Sequence, residues 1–165
     1  MYRIKSGVIM VSYNSLVGLP VISNSKKVAI AKDILFCSRN KCLLGIIVEE
    51  KGLLNKPKYI PLEQIQEINK VSIIITDLDC IKPILEDNQL FQLLSDTDGF
   101  KVNSQVYSNG GKSFGKIKDI VFNFETGIID SFIVTDGVIE DLISGRKVIQ
   151  GSNIVKKHKK WIVED

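Results

Sequence analysis

An internal repeat constrains the fold of this 165-residue chain more than any other feature of its sequence. The five residues KDILF at 32–36 return as KDIVF at 118–122, and the match extends over 31–50 and 117–136. Self-similarity of this kind indicates a tandem duplication, here with about 65 to 70 residues in each copy. A unit of that size buries only about 60% of its unfolded surface and is marginally stable alone. We therefore expect the two copies to pack against each other.

Short strands separated by turns make up each copy. The turn residues Asn109-Gly110-Gly111 and Glu125-Thr126-Gly127 stand between apolar runs, and glycine supplies the positive φ that tight hairpin turns need. The segment IPLEQI at 60–65 predicts a single helical turn, because its proline interrupts a strand. The predicted fold class is mostly all-β, with two tandem small antiparallel β-barrels joined by a short, partly helical linker.

Charge marks the division between the copies. Residues 79–98 carry one basic and five acidic side chains, whereas the segments on either side are mildly basic. An acidic stretch between two basic halves is typical of a linker. The sequence therefore predicts a first domain at 1–78 with its core at about 14–78, an acidic linker at 79–98, and a second domain at 99–165.

Composition and cysteine usage predict a cytoplasmic protein. With 44% apolar and 25% charged residues, the chain has the balance of a folded, water-soluble protein. Its longest apolar runs fall well short of the roughly 20 residues that cross a bilayer, so no membrane span is predicted. Cys37, Cys42 and Cys80 are an odd number without metal-ligand spacing, which favours thiols in a reducing compartment.

The motifs that suggest catalysis or cofactor binding have simpler structural interpretations. NGGKS at 109–113 matches the end of a phosphate-binding loop, but that motif needs glycine where Val106 stands and a helix where a strand follows. Asp33 and Asp119 recur at equivalent positions, which indicates a shared structural role, such as satisfying a backbone group at a bulge. With one histidine and no Ser-His-Asp arrangement, the sequence predicts no enzyme, no catalytic residues, and no cofactor or metal.

Two of the cysteines flank the four residues SRNK, which predict the turn of a hairpin. In that hairpin Cys37 and Cys42 could face each other across the strands, as a redox pair or half of a zinc site. Two ordinary thiols are the simpler interpretation, since no second pair of ligands exists and the single histidine is distant in sequence. The sequence does not decide whether the two cysteines have a redox role.

Four segments, taken in order, give the chain a resemblance to a known family. They are the opening LVGLPVIS, the strand AKDILF, the apolar strand LLGIIVEE, and IPLEQI before VSIIIT. In this order they resemble the PRC-barrel family, over residues 14–76 and more loosely over 99–163. The second copy departs from the pattern at Gln150-Gly151, where the first copy has the proline of IPLEQI.

The resemblance implies both the fold and the kind of function. PRC-barrels, named for a domain of the photosynthetic reaction centre H subunit, are small β-barrels that contact other macromolecules and have no family-wide catalytic residues. The family also includes a domain of a bacterial ribosome maturation factor. The tandem arrangement resembles proteins of spore-forming and related bacteria, which implies by analogy a bacterial protein associated with sporulation, stress or RNA processing.

Two surfaces are candidates for binding a partner. The first consists of apolar hairpin tips, which form a protein interface if the hairpins project into solvent and are structural if they cap the barrels or pack between copies. These residues are Leu53, Leu54, Leu142 and Ile143. The second is a basic run whose charges could hold phosphates while its indole stacks on a base. This run is Lys156, Lys157, His158, Lys159, Lys160 and Trp161. The alternative for the basic run is a solvated turn before the last strand, with Trp161 sealing the barrel.

The predicted function is a non-catalytic cytoplasmic binding or adaptor module that acts through contacts with an unidentified protein partner. Duplication favours this interpretation, because two linked binding faces gain effective concentration on a bivalent target. The alternative function is an RNA- or ribosome-associated factor that uses the basic run. A homodimer is compatible with either function.

Overall fold

The structure is a computed structural model and describes residues 3–5, 8–37, 42–50, 58–84, 103–137, 145–157 and 160–164. The chain opens with β1 (Arg3–Lys5), β2 (Val8–Ser12) and the one-turn helix α1 (Tyr13–Leu16). The first copy contains β3 (Pro20–Ser23), β4 (Lys26–Cys37), β5 (Cys42–Glu50), β6 (Lys58–Pro61), β7 (Ile65–Ile68), β8 (Ile73–Ile75) and β9 (Lys82–Pro83). The second copy contains β10 (Gln105–Ser108), β11 (Ser113–Asn123), β12 (Ile129–Thr135), β13 (Lys147–Gln150), β14 (Ile154–Lys157) and β15 (Lys160–Val163).

Equivalent strands are joined in the same order in the two copies. The order is β6-β5-β4-β3-β8-β7 in the first sheet and β13-β12-β11-β10-β15-β14 in the second. The pairs β3–β8 and β10–β15 are parallel, and the other pairs in both orders are antiparallel. Both long strands bulge at equivalent places, between Ala31 and Asp33 in β4 and between Ile117 and Asp119 in β11. The predicted duplication and the mostly β fold class are therefore confirmed.

A short 3-10 turn follows the fourth strand of each copy. In the first copy it covers Leu62–Gln64 after Pro61, which confirms the predicted helical turn. In the second copy it covers Gly151–Asn153 after Gln150. The backbone angles of Pro61 (φ −55°, ψ 143°) and Gln150 (φ −59°, ψ 142°) are nearly the same. The turn therefore forms without the proline, because glutamine adopts the φ that proline fixes.

Three strands lie outside the repeated order. The hairpin β1–β2 extends the second sheet, where β2 pairs with the end of β11, Val11 opposite Phe122. The charge-based division assigns residues 1–78 to the first domain, whereas β2 pairs with β11 of the second copy. Strand β9 pairs antiparallel with β6, so the first sheet continues into the segment predicted as linker. The rest of that segment, 85–98, lies outside the described residues.

Buried side chains from both copies belong to one apolar cluster. Among its fully buried members are Ile46 and Ile73 of the first copy and Ile117, Phe122 and Ile154 of the second. Burial of this apolar surface is the main favourable contribution to folding, and here the two copies share it. The expectation that the copies pack against each other is confirmed.

Candidate functional site

Helix α1 lies where the two copies meet. The side chain of Ser12 caps the helix by accepting a hydrogen bond from the Ser15 amide at 3.3 Å. The second residue of the helix, Asn14, lies against β11 of the second copy. The Asn14 amide donates to Asp119 Oδ1 at 3.0 Å, and its Nδ2 donates to the Lys118 carbonyl at 2.9 Å. The segment that leads into the first copy is thereby fixed to the second.

The neighbouring Tyr13 faces carboxylates of both copies. Its hydroxyl donates a hydrogen bond to Asp33 of the first copy. The hydroxyl also interacts electrostatically with the Asp119 carboxylate of the second copy. Burial, followed by the charge and hydrogen bond of Asp33, raises the pKa of Tyr13 to about 12. Burial also raises the pKa of Asp33, opposed by the hydrogen bonds that it accepts from Ile34 and Tyr13. Tyr13 is thus a donor held between two acids, and it stays protonated at neutral pH.

Asp33 and Asp119 have the same backbone role in the two copies. Each follows the first bulge of its long strand and accepts a hydrogen bond from the next amide, Ile34 at 2.8 Å and Ile120 at 2.9 Å. A bulge leaves ladder groups unpaired, and a carboxylate at that position satisfies one of them. The prediction of a shared structural role for this recurring pair is confirmed.

A second contact joins the copies at the start of β5. The Leu43 amide donates to the Gly127 carbonyl at 2.8 Å, and Cys42 forms an isolated antiparallel bridge with Ile128. Gly127 has a φ of +70°, and a Cβ placed on it would lie 2.5 Å from the Leu43 carbonyl oxygen. Only glycine combines this backbone conformation with so close an approach. Together with α1, the contact ties the first sheet to the second at two places.

The described part of the basic run belongs to the strands β14 and β15, and its tryptophan is buried. Trp161 is 7% exposed and packs on Phe132, with ring centroids 5.6 Å apart. This burial fits the interpretation in which the indole seals the barrel, and it leaves little ring surface for a nucleic-acid base. Lys157 pairs with Glu164 at 2.5 Å, and Lys160 lies over the Tyr107 ring at 5.4 Å from its centroid. His158, Lys159 and the side chain of Lys156 lie outside the described residues.

Residues 109–113 form the hairpin turn between β10 and β11. The Ser108 amide donates to the Lys112 carbonyl at 2.8 Å, and Gly111 has a φ of +79°. The chain continues from Ser113 as a strand, and a phosphate-binding loop would require a helix there. The interpretation as a hairpin turn is confirmed.

The cysteines differ in their surroundings. Cys80 is buried, with its Sγ 3.6 Å from Gln64 Oε1 and 3.8 Å from Asp77 Oδ1. The register of β4 and β5 pairs Cys37 with Cys42, so the prediction that they stand opposite each other across a hairpin is confirmed. No group of three or more potential metal ligands occurs among the described residues.

The structure does not describe the apolar residues that the sequence predicts as an interface. Leu53, Leu54, Leu142 and Ile143 all lie outside the described residues. Several other large apolar side chains are more than half exposed. They are Val71 (72%), Val148 (60%), Leu78 (57%) and Ile128 (57%).

Of these exposed residues, Val148 occupies a sheet edge that differs between the copies. It lies on β13, which pairs with β12 and has no other partner in the part of the chain that the structure describes. The equivalent strand β6 is covered on its outer side by β9, with Tyr59 opposite Lys82. Among the described residues, the second copy therefore has an open strand edge, defined here as Lys147–Gln150, where the first copy has a covered one.

The profile of the PRC-barrel domain matches the chain twice, at residues 9–78 and 102–165. These two matches cover most of the sequence, and each contains the six strands of one repeated order. The chain is a tandem member of the PRC-barrel family. Comparison with curated proteins finds no significant match.

Membership of the family bears on what the two PRC-barrels do. PRC-barrel domains are in general non-enzymatic, and they mediate protein interactions. In the described part of this chain, no helix has the length and apolarity needed to cross a membrane.

Two features of the tandem PRC-barrel could not be found from the sequence. The first is the contact that α1 makes with the second copy. Asn14 bonds there to residues more than a hundred positions away, and no local motif signals such a contact. The open edge depends on which strand lies beside β13. One signal was present, since the repeat aligns KYIP at 58–61 with KVIQ at 147–150 and thereby makes the two edge strands comparable.

Proposed function

We propose that this tandem PRC-barrel is a cytoplasmic, non-catalytic binding module that holds a protein partner. The observation that carries the proposal is the open edge of β13 with the exposed Val148 beside it. A strand at a sheet edge presents N–H and C=O groups to a further strand, and many protein domains bind partners by this addition. The general role of PRC-barrel domains in protein interactions supports the same conclusion.

The covered edge of the first copy indicates what the open edge accepts. On β6, the extended pair Lys82–Pro83 runs antiparallel and leaves both of its side chains exposed. Apolar residues flank that pair and are buried, Ile81 on one side and Ile84 on the other. The partner segment for β13 is therefore an extended strand with apolar residues at its ends, and Val148 contacts it as a cross-strand neighbour.

The two contacts between the copies give the binding edge a fixed setting. Asn14 bonds to Asp119, and Leu43 bonds to Gly127. These bonds hold the open edge in a fixed position relative to the surfaces of the first copy. A rigid arrangement lowers the entropy lost on binding, which favours a partner that contacts both copies. An exposed apolar residue of the first copy, Leu78, is available for such a second contact.

The test is capture of a partner from cytosol of the source organism, both with and without nuclease treatment, with two matched variants. Val148→Lys places a charge on the open edge, which is how natural edge strands avoid pairing. Val71→Lys makes the same change at an exposed valine in a turn of the first copy. Both sites are exposed, so both variants should remain within about 0.5 kcal/mol of the parent in stability.

A partner that binds the parent and Val71→Lys, and is lost with Val148→Lys, supports the proposal. Equal capture by all three proteins would show that the β13 edge is not the binding surface. Recovery of ribosomal material that disappears with nuclease would favour the alternative, an RNA- or ribosome-associated factor. Binding of that kind should weaken steeply between about 50 and 200 mM salt, because phosphate contacts release counterions.

A further inference from the structure

Three lysines from three strands form a row across the second sheet. Lys157 of β14 stands directly opposite Lys160 of β15. Lys160 adjoins Gln105 of β10, since the parallel pairing of these two strands begins one residue further along both of them. Gln105 is in turn opposite Lys116 of β11. The row formed by Lys116, Lys157 and Lys160 is called the basic row below.

The basic row lies on the outer face of the sheet. Residues that stand opposite each other on paired strands share one face, and successive residues of a strand point to opposite faces. The sequence neighbours Val106, Ile117 and Trp161 are buried, so the row points away from the core, and its three lysines are exposed. Tyr107 is on the same face, because the Lys160 Nζ lies over its ring, 5.4 Å from the centroid.

Uncharged residues occupy the equivalent positions of the first copy. The residues that replace Lys116, Lys157 and Lys160 there are Ile30, Asn69 and Ser72, in that order. Ile30 is opposite the first residue of β3, just as Lys116 is opposite the first residue of β10. The fold therefore forms without lysines at these places. Like charges directly opposite each other destabilise a sheet, so the pair Lys157–Lys160 has a structural cost that the first copy avoids.

Carboxylates offset only part of the charge of the basic row. Lys157 pairs with Glu164 at 2.5 Å, and both side chains are well exposed. Exposed ion pairs contribute little to stability, so Lys157 can exchange Glu164 for another anion. In the part of the chain that the structure describes, no carboxylate forms an ion pair with Lys116 or Lys160. The second copy thus presents a line of positive charge to the solvent.

The length of the basic row indicates what it binds. From β14 to β11 the row crosses three strand spacings, or about 14 Å. A ligand that lies along this line and contacts each lysine carries regularly repeated negative charges, as a phosphodiester backbone does. We propose that the basic row binds the backbone of a single-stranded nucleic acid.

The neighbouring Tyr107 favours a single strand over a duplex. Unpaired bases stack on aromatic side chains that lie beside a basic track, whereas the bases of a duplex are stacked on each other. The row is also separate from the open edge, since β12 lies between β11 and β13. Binding of nucleic acid is therefore a second activity of the chain, and it does not depend on the addition of a strand to β13.

The experiment measures the binding of the full chain to a fluorescein-labelled oligo-uridine of about 12 nucleotides, which is within the usual site sizes of such proteins. Fluorescence anisotropy gives the affinity between about 50 and 200 mM salt. Each phosphate contact with a single strand contributes about −0.7 to the slope of log affinity against log salt. Combining Lys116→Gln, Lys157→Gln and Lys160→Gln should reduce the slope by about 2. Over that salt range, the parent should then weaken about 20-fold more than the variant.

A control variant removes three exposed lysines of the first copy, and it leaves the same net charge. It combines Lys26→Gln, Lys27→Gln and Lys70→Gln, and it should keep the slope of the parent. Arginine at the three positions of the basic row should keep that slope too, because the charge remains. Urea denaturation checks that every variant is folded.

Four results would overturn the proposal. They are an equal loss of slope in the two glutamine variants, a parent that does not bind the oligonucleotide at about 50 mM salt, a duplex of the same length that binds as tightly as the single strand, and binding to phosphatidylserine vesicles without binding to the oligonucleotide. The last result would assign the row to a membrane surface.

Discussion

Replacing Gly127 with alanine should destabilise the protein by an amount that can be worked out from two features of the seam. Gly127 has a φ of +70°, and this backbone conformation costs a residue with a Cβ roughly 1–2 kcal/mol. The new Cβ would also lie 2.5 Å from the Leu43 carbonyl oxygen and 3.1 Å from Leu62 Cδ2, both in the first copy. Relieving that overlap displaces the seam and weakens the bond between the Leu43 amide and Gly127, at a further cost of about 1–3 kcal/mol.

Gly111→Ala is the matched control for this substitution. Gly111 has a φ of +79°, but no atom lies within 4 Å of the position that a Cβ would take. It should therefore lose only the roughly 1–2 kcal/mol of backbone strain. The free energies of unfolding of both variants and the parent can be compared by urea denaturation. Losses that agree within about 0.5 kcal/mol would refute the reasoning, because the seam would then contribute nothing.

The remaining predictions concern the core and the dependence of stability on pH. Phe132→Ala removes a buried ring in contact with Trp161 and should cost about 3–5 kcal/mol in urea denaturation; a loss below about 1 kcal/mol would contradict the packing. Because burial raises the pKa of Asp33 above its ordinary 3.8, the folded state binds more protons than the unfolded state between the two values, and the contribution of this group to stability falls as pH rises through that window. Asp33→Asn should flatten this dependence of stability on pH. It should also lower the Tyr13 pKa from about 12, although burial keeps that pKa above 10.0, and ultraviolet titration measures the change. An unchanged slope and an unchanged titration would contradict this account.

The repeat made the equivalence of the two long strands predictable. Lys32 to Phe36 and Lys118 to Phe122 lie on equivalent long strands, and the recurring acid of each segment has the bulge role expected of it. The turns were predictable too, because positive φ at Gly111 is encoded by glycine itself. These features depend on residues close in sequence, which a pattern can reveal.

The features that could not be predicted depend on pairing between distant segments. Nothing in VIMVS at 8–12 says that it pairs with β11 of the second copy rather than with its neighbours in sequence. Likewise Val148 and Ile149 are both apolar residues of one strand, yet the first is exposed and the second is buried. A shift of one residue exchanges the two faces of a strand, so composition alone cannot assign them. The choice between the two interpretations of Trp161, stacking on a base or sealing the barrel, met the same difficulty, since its burial depends on contact with Phe132.

Hydrogen–deuterium exchange of the free protein tests the open edge most directly. The measurement compares deuterium uptake in segment 147–150 of β13 with uptake in segment 58–61 of β6, the equivalent strand. Because β9 covers β6 and no described strand covers the outer side of β13, the account predicts faster uptake in 147–150. Equal or slower uptake there would show that another segment protects β13, and it would contradict the open edge on which the proposed function depends.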